Sequence, residues 1–225
     1  MDYTETAVWL SAVLVSAIMV FTRKAWRFSR HGATLTHELG HAVFGMLTMA
    51  RISGIRLHMD SSGVTHSIRS VRVFPIGAII SGFSGYPAPI IFGSVFLSLL
   101  FSGHPMEAMY TILIAGLVTL LFIRNLFGLL VTLIWVVSAA TVVLFIPWAI
   151  PWYVVWTGSL LIFGGFKDLT VLRKIYKRAP ETQTDLYDLR MSSHIPQGFW
   201  YWTMWIVSIA NLGLPALFLA ERLTP

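Results

Sequence analysis

The chain has 225 residues, 56% of them hydrophobic and 12% charged, with a mean hydropathy of +0.73. Soluble globular domains carry about 25% charged residues, so this composition excludes one and points to an all-α polytopic membrane protein. The formal charge of +6 does not indicate a nucleic-acid partner, because Lys and Arg gather at the ends of apolar segments, and the absence of cysteine excludes disulfides and thiolate-held metal.

Apolar segments follow one another along the chain. The first, Ala7 to Thr22, is preceded by an acidic stretch (Met1 to Thr6) where a cleaved leader needs a basic start, and it is expected to be kept as an anchor. A second segment, about Thr34 to Ala50, carries His37-Glu38-Leu39-Gly40-His41. Five more run over Pro75 to Phe101, Met109 to Ile123, Leu126 to Pro147, Trp152 to Phe166 and Phe199 to Ala220. The total is about six to seven membrane helices. Pro87 and Pro89 split the third segment, so residues 79–85 are expected to depart from regular helix. The polar stretches 51–72 and 167–197 are too short to fold alone, and residues 1–225 read as a single integral-membrane domain.

Between the second and third segments, two alternating runs flank Asp60-Ser61-Ser62-Gly63, which predicts a small β-hairpin over residues 52–69 directly after the HELGH helix. Charge decides how it connects. If the chain enters at the HELGH helix and returns through the hairpin to the same side, fifteen of the sixteen basic residues share that side and Arg222 stands alone opposite. The positive-inside rule prefers this arrangement and places the motif near the cytoplasmic face.

His37 and His41, at i and i+4, share a helix face and can reach one metal ion, while Glu38 beside them can take a proton from a metal-activated water. Further along stand Gly82-Phe-Ser-Gly-Tyr-Pro87, Arg124-Asn125-Leu-Phe-Gly128, Gly164-Gly-Phe-Lys-Asp168, and Thr184-Asp185 with Pro196 and Trp200. With the HELGH helix and its hairpin, this ordered set resembles the site-2 protease family of intramembrane zinc metallopeptidases, and within it the compact bacterial branch. The resemblance covers about residues 30–200. It implies Zn²⁺ as cofactor, a membrane-protein substrate, and a multi-pass protein of the bacterial cell membrane.

The Leu-Asp-Gly and Asn-Pro-Asp-Gly signatures of better-known members are absent, which leaves the third ligand open. A metzincin would need a glycine and a histidine where Phe44 and Leu47 stand, and no glutamate after Glu38 lies at a suitable place for a gluzincin. Asp60, Asp168, Asp185, Asp188, His31, His58, His66 and His194 remain on the correct side. Asp168, at the end of an apolar span and at the depth of the motif, is the leading candidate; the alternative for it is an interfacial pair with Lys167 or Arg173. Asp185 has an ordinary role as a helix-start residue and enters as ligand chiefly through the family likeness. The site read from sequence is thus Glu38 as general base with His37, His41 and Asp168 as metal ligands.

Gly82, Gly85, Gly93 and Ser94 fit close helix packing, with exposed amides over 81–89 as the alternative. Asn125 could cap a helix or hold a substrate backbone. The expected activity is hydrolysis of peptide bonds within or beside the bilayer. The rivals are a zinc transporter bearing the same motif on a membrane helix, and a non-catalytic relative that binds membrane helices without cutting them.

Overall fold

The computed structural model describes residues 3–60, 62–68 and 75–224. Met1 and Asp2 of the acidic start, Ser61 and Arg69 of the expected hairpin, and Arg72 lie outside the described residues. Helix α1 spans Tyr3–Phe21 and α2 spans Arg23–Leu47. The second helix therefore begins well before Thr34: the basic run Arg23 to Arg30 is itself helical. With those charges in its first half, α2 is not among the helices apolar enough to cross a membrane.

The strands are β1 (Arg51–Leu57) and β2 (Gly63–Ile68), followed by helices α3 (Pro75–Ser84), α4 (Ala88–Phe101), α5 (Pro105–Phe122), α6 (Leu126–Phe145), α7 (Ile150–Arg178), α8 (Asp185–Ser193), α9 (Gln197–Asn211) and α10 (Gly213–Leu223). By length and composition, five stretches among the described residues can cross a bilayer: α1, α5, α6, Pro147–Arg178 and Gln197–Leu223. A sixth forms if α3 and α4, bent 66° to one another, count as one broken span. The protein is thus an all-α polytopic membrane protein with one small sheet.

The expected irregularity at 79–85 is displaced. Helix α3 is regular through Ser84, and the break falls at Gly85 to Pro87. Pro87 and Pro89 sit at the start of α4, where a missing backbone N–H costs no helical bond. Helix α7 also runs far past Phe166 to Arg178, so Asp168 lies inside a helix rather than at its end.

Helix α7 is the central post. In its most apolar 18-residue stretch 67% of residues are buried, against 17–22% in those of the other four. Its Tyr153, Val154 and Leu161 pack with Trp9 and Ala12 of α1, Phe96 and Leu100 of α4, and Met109 and Ile112 of α5. Small residues allow this closeness: a Cβ on Gly93 of α4 would stand 2.5 Å from the Gly158 carbonyl oxygen of α7. Lys167 of α7 donates to the Val20 carbonyl and lies over the Trp26 ring, 4.5 Å from its centre, which ties α7 to the junction of α1 and α2.

The hairpin is antiparallel, with Ile55 opposite Thr65 and Leu57 opposite Gly63. Ile55 and Leu57 are fully buried against Leu35 and Ala42 of α2 and Ile123. The outer edge of β1 is also held. The Arg124 N–H donates to the Ile55 carbonyl at 2.9 Å. The Asn125 amide bonds Leu57 twice, donating to its carbonyl at 2.6 Å and accepting from its N–H at 3.1 Å. Asn125 thus mimics a strand neighbour for β1, a role outside the two read for it from sequence.

Candidate metal centre

One helical turn apart on α2, His37 and His41 set their rings 4.7 Å apart and nearly perpendicular, with the two Nε2 atoms 3.1 Å apart. The His41 orientation is fixed from behind. Its Nδ1 lies 2.6 Å from the Ser81 carbonyl, which can only accept, so Nδ1 carries the proton and Nε2 keeps its lone pair. Ser81 Oγ returns a bond to the His41 carbonyl at 3.0 Å, locking α3 to α2. The Tyr86 ring meets the His37 ring edge-on at 4.7 Å.

The acidic group that approaches these imidazoles is Asp185. Its Oδ2 lies 3.2 Å from His37 Nε2 and 3.2 Å from His41 Nε2. Thr184 caps α8, its Oγ1 accepting the Tyr187 N–H at 3.4 Å. Leu186 and Leu189 then seat the helix against Ile90, Leu169 and Leu172, with Tyr201 and Met204 of α9. That docking turns Asp185, the first residue of α8, toward α2. Burial opposes ionisation of Asp185, yet when a proton rather than a cation sits on the imidazoles, His41 and His37 hold its carboxyl well below the usual carboxylate range.

Among the described residues, His37, His41 and Asp185 form the one group able to hold a metal ion. Asp185 Oδ2 is buried without a hydrogen-bond partner despite its two close nitrogens. With both imidazoles neutral, three lone pairs converge at 3.1–3.2 Å, and a cation among them satisfies all three. A tetrahedral zinc with bonds of about 2.0–2.1 Å needs ligand atoms roughly 3.3–3.4 Å apart. The residues present fit that ion.

Asp168 is not a member of this group. It lines the same cleft from α7, half-buried, with no hydrogen bond or ion pair among the described residues. Of the other candidates, Asp60 accepts from the N–H and Oγ of Ser62 in the hairpin turn, and His58 lies 3.3 Å from that same Oγ. His66 is exposed on β2, His31 meets Phe127 edge-on, and His194 ends α8 in the left-handed conformation. Asp188 reaches the cleft wall but not the metal group.

The cleft has a volume of about 900 Å³ and is lined by His37, Glu38, Thr65, Tyr86, Asp168 and Asp185 among others. Glu38 is only 4% exposed and takes a hydrogen bond from Thr65 Oγ1 at 2.6 Å. Sequence reasoning assigned no role to the side chains of Thr65, Ser81 or Tyr86, although Tyr86 stands in the Gly82–Pro87 landmark, because their contacts here are made across elements. Gly85 lies against both imidazoles: a Cβ there would stand 2.4 Å from His41 Nε2 and 2.7 Å from His37 Cε1.

The helices and this group define a multi-pass integral membrane protein with a candidate metal site of metallopeptidase type. A family model described as Peptidase M50B-like matches residues 10–214, and the chain belongs to that family, in keeping with the site-2 protease likeness of its motifs. No curated protein and no solved structure matches it.

Proposed function

We propose that this protein is an intramembrane zinc metalloprotease that hydrolyses peptide bonds of membrane-associated protein substrates. The observation that carries the reading is the meeting of His37 Nε2, His41 Nε2 and Asp185 Oδ2 at 3.1–3.2 Å, beside the buried carboxylate of Glu38. In this reading Asp185, rather than Asp168, completes the ligand set with His37 and His41.

A Zn²⁺ ion held there supplies Lewis acidity that makes water nucleophilic near neutral pH. Glu38 takes the proton of the attacking water and hands it to the departing amine nitrogen. Asp185 leaves Glu38 free for that task by acting as ligand. The hydrogen bond from His41 Nδ1 to Ser81 keeps Nε2 basic and correctly turned. A substrate helix must unwind first, because its carbonyls are occupied by internal hydrogen bonds. The outer edge of β2, which has no strand partner among the described residues, offers an extended template next to Glu38. In this reading the cleft faces the cytoplasm, which the gathering of basic residues on one side supports, and the membrane is a bacterial cell membrane, which the family likeness supports. Partners are the bilayer and a membrane-protein substrate, without nucleic acid.

The test is Glu38→Gln in purified protein reconstituted with zinc, assayed on peptides that carry an apolar helix with an extended flank. Retained zinc with cleavage abolished is the expected result. Cleavage at the wild-type rate would remove the proposed base, and a wild-type chain that binds no zinc would remove the reading itself.

A further inference from the structure

The Thr65 hydroxyl reaches from β2 to the middle of α2, 2.6 Å from Glu38 Oε2 and 3.0 Å from the Glu38 main-chain carbonyl. A hydroxyl has one proton, and the shorter contact has the length of a charge-assisted O–H···O⁻ bond, so the carboxylate takes it. Gly63 lies two residues earlier on the same face of β2. A Cβ at Gly63 would stand 2.6 Å from Glu38 Oε1 and 2.7 Å from its Cγ. The strand thus binds one carboxylate oxygen through Thr65 and makes room for the other at Gly63.

The position of β2 is set from behind. Thr65 and Gly63 pair with Ile55 and Leu57, both fully buried. Those two are bonded in turn to Arg124 and Asn125 at the junction of α5 and α6. A rigid path therefore runs from that junction through the sheet to the Glu38 side chain, which on its own has freely rotating bonds. The strand does more than present an edge to a substrate.

We infer that Thr65 is a positioning residue for the reaction: by binding Oε2 it orients the Glu38 carboxylate, leaves Oε1 for proton transfer, and makes docking of the hairpin a condition for an effective base. This rests on the proposed peptidase activity. The full chain, loaded with zinc, is compared with Thr65→Val and Thr65→Ser on a quenched-fluorescent peptide of extended apolar sequence. Thr65→Val keeps the shape and removes the proton donor. Its kcat is expected to fall about 10- to 100-fold with KM and zinc content unchanged, and Thr65→Ser is expected to recover most of the loss. Unchanged kcat in Thr65→Val overturns the inference, as does a Ser variant no better than the Val one.

A readout independent of activity separates this inference from the proposed function. In a double-mutant cycle of Thr65→Val with Glu38→Ala, the Tm decrements are expected to be non-additive, because each removes the same hydrogen bond. Additive decrements overturn the inference. If the wild-type chain cleaves nothing, the activity proposal fails, and the Tm comparison decides the Thr65–Glu38 contact by itself.

Discussion

Asp185 Oδ2 stands 3.2 Å from His41 Nε2 although 144 positions separate the two residues, and the first turn of α8 carries the carboxylate there. Its capping threonine and two buried leucines fix the direction of a carboxylate that has no hydrogen-bond donor of its own. Asp168 lines the same space without entering the group.

Zinc content therefore separates the two aspartates. Asp185→Ala is expected to drop from about one zinc per chain to a small residual fraction, since two imidazoles alone hold the ion far more weakly. Asp168→Ala is expected to retain the wild-type amount. Inductively coupled plasma mass spectrometry on protein purified without added chelator measures both. Full zinc in Asp185→Ala, or loss in Asp168→Ala, would reverse the assignment.

Gly85→Ala tests whether the roof of the site is as close as the geometry states. Its Cβ would meet both imidazoles at 2.4–2.7 Å, closer than carbon and nitrogen atoms pack, so the rings must turn or α3 must shift. Zinc content is expected to fall at least tenfold while the chain still purifies as a folded monodisperse species. Gly213→Ala is the control, because nothing lies within 4 Å of a Cβ there. Equal zinc in both variants would show that the roof has slack.

How far these features were legible in the sequence differs residue by residue. His37, Glu38 and His41 are joined by helix periodicity alone, and the hairpin by alternation around Asp60 to Gly63, so local rules reach both. From sequence Asp168 stands above Asp185 as a ligand because the apolar stretch stops near Phe166, which predicts a helix end at the depth of the motif. The helix instead continues to Arg178 in polar residues, and the chain turns back before supplying its carboxylate. A signal for Asp185 was present: Thr184 is a helix-start residue, and Leu186 and Leu189 put two apolar side chains on one face of an otherwise polar segment. Thr65 is a different case. Nothing in a strand's own pattern says which side chain of a helix it will cover, since that depends on how β1 is anchored at Asn125.

Removing the metal should loosen the protein as well as silence it. Without a cation, the Asp185 carboxylate is left with the two imidazoles 3.2 Å away, and an ion that binds only the folded arrangement stabilises it. At a free zinc concentration 100 times Kd this amounts to about 2.7 kcal/mol. Treatment with 1,10-phenanthroline is expected to lower Tm by several degrees, with recovery on adding zinc back. Asp185→Ala should show little response to either step. A Tm indifferent to chelator in the wild type would mean that the group is held by the surrounding packing and not by a metal.

The anchoring of the hairpin is the last relationship that can be broken selectively. Asn125→Ala removes both bonds to Leu57 and leaves a fully buried residue with an unpaired N–H and carbonyl on that edge. Stranding such groups costs about 1–3 kcal/mol, and the cost falls on the sheet because Asn125 touches it and not the metal group. Hydrogen exchange at the amides of β1 and β2 should therefore quicken roughly tenfold or more, while α7 amides and zinc content stay as in the wild type. Asn125→Asp separates the two bonds: its carboxylate can still accept from the Leu57 N–H but cannot donate to the carbonyl, so its exchange rates should fall between those of the wild type and Asn125→Ala. If neither variant changes exchange in the strands, the edge of β1 is held by Arg124 and by burial of Ile55 alone, and the path from the α5–α6 junction to Glu38 does not run through Asn125.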